Sequence, residues 1–299
     1  GDPIAEARAS GPGDHPMSIA IWPAQRIRDA FAKGYVAADA APDADQVQPA
    51  SLDLRLGPKA YRLPASFLPG PGRTVAQRVS ELATHEVDLS QPTVLERNCV
   101  HIVPLMERLR LPSAVDARAN PKSSSGRLDI FVRIIADGAA TFDEIPAGYD
   151  GPLYAEVVPR SFPVIARAGS RLAQIRFRGD VPAAPAARPS RGSQPFGPGG
   201  KDGGVVGFRA RRTSGLVDLA KVGVLSRADY WEPIVTRPDR RELVLDPDEF
   251  YILASGEAVV VGADEAAEMI AYDTSVGELR SHYAGFLDCG FGLAEAGGA

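Results

Sequence analysis

The chain has 299 residues, with 33 Lys and Arg against 38 Asp and Glu and a formal net charge of −5. At roughly 150 residues per domain that length suits one large domain or two ordinary ones, and the hydrophobic fraction of 44% is that of a globular protein. The acidic balance provides no global field for DNA or RNA, so nucleic acid is not an expected partner and an anionic ligand must meet a local Arg/Lys cluster.

Residues 1–16 are polar and rich in Gly and Pro, precede Met17, and read as a disordered arm or a vector-derived remnant. The first element follows Trp22 and Pro23: Pro at a first helical position, Ile27, Ala30 and Phe31 on one face, and Gly34 as a stop predict a short amphipathic helix. Residues 51–56 (SLDLRL) alternate strictly, with three leucines on one face of a strand and three polar groups on the other. Val100 to Leu105 is an apolar strand, continued from Arg108 to Leu111 after Pro104. Further apolar stretches run over residues 128–135, 154–158 and 172–177. Strands separated by turn signals, with 30 Gly and 26 Pro in the chain, predict an all-β architecture, a sandwich or barrel with a few short helices. Residues 181–204 hold five Pro and six Gly in 24 positions and read as a linker or flap. They separate a first domain, 17–180, from a second, 205–299.

The two parts are alike. Residues 95–120 lie on 245–270 at a constant offset of 150, with Leu95/Leu245, Ile102/Ile252, Glu107/Glu257 and Ala117/Ala267 identical. A Ser-x-Gly-x-Leu pattern then follows in both, at 124–128 and at 275–279. This predicts a duplicated β-domain, with two unrelated β-domains sharing strand alternation as the alternative.

Several chemistries are excluded. Two cysteines, Cys99 and Cys289, build no disulfide framework and fit a reducing cytoplasm. There is no Cys-x-x-Cys pair, and His15, His85, His101 and His282 stand in no metal-binding pattern, so zinc is not expected. No apolar run nears the roughly 20 residues of a membrane span, so no membrane partner is expected.

Two features point to chemistry. In residues 121–128 (PKSSSGRL), Lys122 and Arg127 bracket Ser123, Ser124, Ser125 and Gly126, a turn whose N–H groups, hydroxyls and cations suit a polyphosphate; a solvated loop is the plainer alternative. Glu156 lies in an apolar strand on the side of Tyr154 and Val158. A carboxylate buried there needs partners and has the surroundings of an acid/base group; a surface Glu on an edge strand is the alternative.

The blocks 48–57 (QPASLDLRLG), 121–132 (PKSSSGRLDIFV), 148–157 (GYDGPLYAEV) and 168–177 (AGSRLAQIRF) together resemble the deoxycytidine triphosphate deaminase family, in its order and roughly its spacing. The resemblance implies the distorted β-barrel or jelly roll of the dUTPase-like fold, here in a long two-domain variant. It implies hydrolytic conversion of dCTP to dUTP and ammonia, feeding dUMP and dTTP synthesis, without zinc and with Mg²⁺ bound to the triphosphate. Glu156 falls on the family's catalytic glutamate, with Ser123 and Arg127 beside the reactive centre and Arg127 orienting Glu156. Lys122, Ser124, Ser125 and Gly126 complete the nucleotide-binding run. Ala136 matches a position whose backbone faces the base, and Tyr154 and Ala155 match backbone contacts to the pyrimidine. Gln174 and Arg171, on a strand behind the site, are second choices. The family's sugar-contacting Asp is replaced by Pro146, with Asp143 as a substitute. Single-domain members form trimers with sites between subunits, so a homo-oligomer, a trimer first, is expected in the cytoplasm. The segment 277–292 resembles the family's Ile-Asp-Pro-Gly-Phe turn, but Glu278 stands where Arg127 does and the chain stops before an equivalent of strand 153–158. The second half therefore reads as a degenerate, incomplete domain without chemistry. The same fold could host a dUTP pyrophosphatase, a bifunctional deaminase-pyrophosphatase or a non-catalytic nucleotide-binding regulator.

Overall fold

The computed structural model describes residues 20–179, 204–235, 243–253, 259–268 and 286–293. Helix α1 (Ala24–Ala32) is followed by strands β1 (Val36–Ala38), β2 (Leu52–Arg55) and β3 (Lys59–Leu63), helix α2 (Val75–Leu82), then β4 (His85–Asp88), β5 (Thr93–Leu95), β6 (Val100–Arg110) and β7 (Asp116–Pro121). The short helix α3 (Ser123–Arg127) leads into β8 (Ile130–Ala136), β9 (Glu144–Ile145), β10 (Asp150–Pro159), β11 (Val164–Ala166) and β12 (Arg171–Arg178). The remainder contributes β13 (Val205–Ala210), β14 (Val217–Asp218), α4 (Arg227–Tyr230), β15 (Trp231–Val235), β16 (Tyr251–Leu253), β17 (Ala267–Glu268) and β18 (Phe286–Leu287). The all-β expectation holds, although the strands divide among several sheets and none of the described sheets closes on itself as a barrel.

The largest sheet runs β4-β3-β6-β10-β8, with β1 also on β6, and faces a second sheet of order β2-β12-β7-β9 across the main core. Inward side chains alternate along β8 and β10: Val132, Ile134 and Ala136 meet Leu153, Ala155 and Val157 in that core. Trp22 closes one end, its indole N–H donating to the Gly179 carbonyl at 2.7 Å and its ring 5.2 Å from that of Phe177. Helix α1 buries Ile27 and Ala30 as predicted, and Gly34 ends it at φ +71°. β6 is a single strand through Pro104, whose carbonyl accepts from the Gly57 N–H at 2.8 Å. Gly57 is required there, since a Cβ would stand 2.6 Å from that oxygen.

β2 departs from the simple alternation. Its polar face is buried as fully as its leucines, because Asp53 and Arg55 find ionic partners. Glu107 Oε1 accepts from Arg55 Nε at 2.8 Å and from Gln46 Nε2 at 2.7 Å, and its Oε2 accepts from the Arg55 backbone N–H at 2.8 Å. Burial of charge is tolerated only with partners of this completeness.

The described pieces of the second part pack on the first. β14 pairs in parallel with β11, and Phe162 meets the rings of Tyr230 and Trp231 edge-on at 5.7 and 5.2 Å. Within them the predicted internal likeness is carried by hydrogen bonds. β7 pairs with β9 through Ala117↔Ile145, and β17 pairs with β18 through Ala267↔Leu287. Leu111 N–H donates to Tyr149 O and Val261 N–H to Phe291 O; Gly148 N–H donates to Pro112 O and Gly290 N–H to Gly262 O. Both turn glycines have positive φ, +74° and +80°. One side of each pair keeps the offset of 150 residues, and Asp288 consequently stands where Pro146 stands in the first turn.

Arg176, 2% exposed, joins the second turn to β12: it donates to the carbonyls of Ala267 and Leu287 and to Asp288 Oδ1, each at 3.1 Å. Its guanidinium carbon lies 3.9 Å from the Phe286 ring centroid. Residues 181–203 and 269–285, including Glu278, lie outside the described residues.

Candidate active site

Glu156 sits on β10, between β6 and β8, and is 1% exposed. The edge-strand alternative is thereby removed. Strand register places Arg133 directly across from it on β8 and Ile102 on β6. Arg133 donates to Glu156 Oε1 from Nε at 3.2 Å and from Nη2 at 2.7 Å. Ser66, exposed on the loop between β3 and α2, donates its hydroxyl to Oε2 at 2.5 Å and accepts from Arg133 Nη2 at 3.0 Å. The guanidinium carbon of Arg133 lies 3.6 Å from the centroid of the Phe142 ring and 4.6 Å from that of Phe131. Both approaches are cation–π contacts.

The surroundings of this carboxylate are apolar. Tyr154, Ile135, Ile102, Leu63 and Phe67 form a second buried cluster on the same side of the sheet, capped by Val75 and Val79 of α2. α2 is held there at its N-terminus, where Thr74 and Gln77 make a reciprocal capping box and Asp137 Oδ1 accepts from the Val75 N–H at 2.7 Å. Arg133 supplies the opposite charge that a carboxylate buried among such neighbours needs.

The run 122–127, which the resemblance assigns to the nucleotide, is elsewhere within one chain. It forms helix α3 rather than the predicted turn. Ile130 lies opposite Pro159 and Arg133 opposite Glu156, so α3, which ends before Ile130, lies about 10 Å or more along the sheet from Glu156. The guanidinium on Glu156 is thus that of Arg133 and not, within the chain, that of Arg127. Ser123, Ser124 and Arg127 are exposed, whereas Gly126 is buried and Ser125 donates to the Leu172 carbonyl at 2.8 Å. Lys122 pairs with the buried Asp53, which Arg171 also approaches at 3.5 Å while holding Asp45. Burial pushes the Asp53 carboxyl up, against the pull of Lys122 and Arg171. Gln174 faces Ser51 at 3.4 Å on the sheet away from Glu156.

Of the residues assigned to the base, Tyr154 shares the Glu156 face, Ala155 points into the main core, and Ala136 lies opposite Leu153 on β8. Asp143 is built into the sheet: its Oδ1 accepts from the Ile134 N–H at 2.7 Å, at φ +65°. Burial raises its carboxyl to about 7, against the pull of that N–H and of Arg133 and Arg118. Sequence reasoning missed Arg133, Ser66 and Phe142. A lone arginine inside the apolar run 130–135 was a usable signal for the first, and nothing local marked Ser66.

Among the described residues no group of three or more His, Cys, Asp or Glu is placed to hold a metal ion, and no helix is long and apolar enough to cross a membrane. Cys99 and Cys289 are both free.

Residues 18–181 match the family profile described as the 2'-deoxycytidine 5'-triphosphate deaminase N-terminal domain, and residues 198–299 match that of its C-terminal domain. A dCTP deaminase of Halorubrum lacusprofundi is 30% identical over 154 residues, covering 50% of this chain and 73% of that protein. One of Rhodospirillum rubrum is 30% identical over 162 residues, covering 50% and 78%. A protein of Methanosphaera stadtmanae named "dCTP deaminase, dUMP-forming" is 26% identical over 162 residues, covering 53% and 79%. The crystal structure of 2'-deoxycytidine 5'-triphosphate deaminase from Agrobacterium tumefaciens superposes with a TM-score of 0.86 at 49% identity, over 94% of this chain and 89% of that one.

Proposed function

Since the chain belongs to the 2'-deoxycytidine 5'-triphosphate deaminase family, we propose that it hydrolyses the C4 amino group of dCTP, giving dUTP and ammonia, with Glu156 as the acid/base. The supporting observation is a carboxylate 1% exposed, held by donors on both oxygens, on the face of an aromatic-lined sheet. Glu156 accepts a proton from water as the oxygen bonds to C4 and passes it toward N3. A second proton moves from the added hydroxyl to the amino group, the C4–N bond breaks, and ammonia leaves with the ring oxidation state unchanged. A matched acid/base group contributes about 10²–10⁴-fold.

Ser123 and Arg127 serve this centre from a second copy of the chain. Their exposure on α3, away from the Glu156 of their own chain, supports a homo-oligomer, in which Lys122 and Ser124 line the triphosphate path and Arg127 faces the reacting ring. Ala136, Tyr154 and Ala155 present backbone groups to the pyrimidine, while Asp143 and Gln174 lie behind the binding surface. Mg²⁺ enters with the triphosphate as part of the substrate, zinc takes no part, and the two free cysteines accord with a cytoplasmic enzyme.

A second reading, deamination followed by release of pyrophosphate to leave dUMP, is favoured by the relatives named as dUMP-forming. Incubating dCTP with protein and Mg²⁺ separates the two: dUTP as end product supports the first reading, and dUMP with pyrophosphate the second. Glu156→Gln keeps the shape of the side chain and removes the proton acceptor. It is expected to bind dCTP and release almost no ammonia, and near-normal release would remove Glu156 from the mechanism.

A further inference from the structure

We infer that Arg133 and Ser66 are positioning residues for the acid/base, a device that rests on the reading of Glu156 above. The three side chains form a closed ring. Arg133 Nε and Nη2 both meet Oε1, Nη2 also meets Ser66 Oγ, and the Ser66 hydroxyl meets Oε2. A carboxylate offers about four lone-pair directions, and three are occupied. Both guanidinium bonds fall on Oε1 and one hydroxyl bond falls on Oε2, so the remaining capacity is on Oε2, the oxygen bonded to the exposed Ser66. A water that donates to Oε2 would share that oxygen with the Ser66 hydroxyl.

The ring is braced from outside. Phe142 and Phe131 lie against the guanidinium, and strand register sets Arg133 opposite Glu156. The plane of the fork is fixed before substrate arrives, and it fixes the plane of the carboxylate. Neither Arg133 nor Ser66 lies in the run assigned to the nucleotide. Their loss therefore acts on the orientation of Glu156 and not on the hold on dCTP. A misplacement of about 1 Å at a reacting group costs about 10²-fold.

The full chain is assayed for ammonia release from dCTP with Mg²⁺, with dCTP affinity measured separately by calorimetry, for Ser66→Ala, Arg133→Ala, Arg133→Lys and Glu156→Gln. Arg133→Ala is expected to lose about 100-fold in kcat with KM for dCTP within about threefold. Millimolar guanidinium is expected to restore part of that kcat, which a loss of folding would not allow. Arg133→Lys is expected to fall between Arg133→Ala and the native chain. Ser66→Ala removes an exposed hydroxyl and cannot empty the core, so it reports even where an arginine variant folds poorly; its kcat is expected to fall about tenfold, the loss of one well-placed donor. Unchanged kcat in Ser66→Ala, or in folded Arg133→Ala, beside an inactive Glu156→Gln would overturn the positioning role and leave the acid/base reading standing. An active Glu156→Gln would overturn that reading itself.

Discussion

Asp143 should make the protein less stable as the pH rises, and its replacement by Asn should remove that loss. Burial raises its carboxyl from 3.8 to about 7. The folded chain therefore holds the Asp143 proton more firmly than the unfolded chain does. Its contribution to stability is complete below about pH 3.8, declines as the pH rises toward 7, and is gone above it. Moving a carboxyl's titration by one pH unit corresponds to about 1.4 kcal/mol, so the full effect is about 4 kcal/mol, and about 2 once water penetration is allowed for. Asn preserves what the site needs. Its carbonyl accepts from the Ile134 N–H and it adopts the positive φ of +65° at little cost. Urea unfolding of both proteins at pH 5 and pH 8 isolates the group, because every other titration cancels in the difference. The part of this loss that falls between pH 5 and pH 8 is somewhat over half, so Asp143→Asn should gain about 1 kcal/mol on the native chain between the two pH values. A variant whose relative stability is the same at both, or lower at pH 8, would refute the assignment of a buried proton to Asp143.

Glu107→Ala should leave Arg55 and Gln46 buried without their acceptor and cost about 3–5 kcal/mol in urea unfolding; a cost below about 1 kcal/mol would mean that water replaces the carboxylate. Arg127→Glu should abolish ammonia release while leaving the fold intact by circular dichroism, since the residue is exposed on α3; an active variant would show that Arg127 is not at the reacting centre. Exhaustive treatment with a zinc-specific chelator should leave deamination unchanged when Mg²⁺ is supplied, and loss restored only by zinc would contradict the proposed chemistry.

The parts of the structure legible in the sequence are those set by local pattern. Alternation around Glu156 puts it with Tyr154 and Val158 on one face of a strand, and Pro23 with Ile27 and Ala30 predicts α1. What local pattern could not supply was the origin of distant partners. Asp53 and Arg55 look like a polar strand face, yet Lys122 and Glu107, 69 and 52 residues away, bury them both. Residues 123–127 look like a hydroxyl-rich turn. They coil into a helix at the end of β7, where Ser125 meets the Leu172 carbonyl of β12. Arg133 carries a faint signal as a charge in an apolar run, but its pairing is a property of register between β8 and β10. Ser66 reaches Glu156 across 90 residues of chain. The internal likeness is visible through only four identities in 26 positions, and the hydrogen bonds of the two turns, which depend on backbone path more than on side chains, make it plain.

The joint at Arg176 has a consequence for how the second turn is seated. A hydrophobic seam holds two surfaces together but lets them slide, since apolar contact has no direction. A flat guanidinium that meets two carbonyls and a carboxylate while lying against a phenyl ring permits one angle of approach. Desolvating the charge consumes much of what these bonds return, so the joint is better suited to setting an orientation than to adding strength. In the duplicated turn the carboxylate of Asp288 works as a locating pin, and its counterpart in the first turn, Pro146, has no group that could do so.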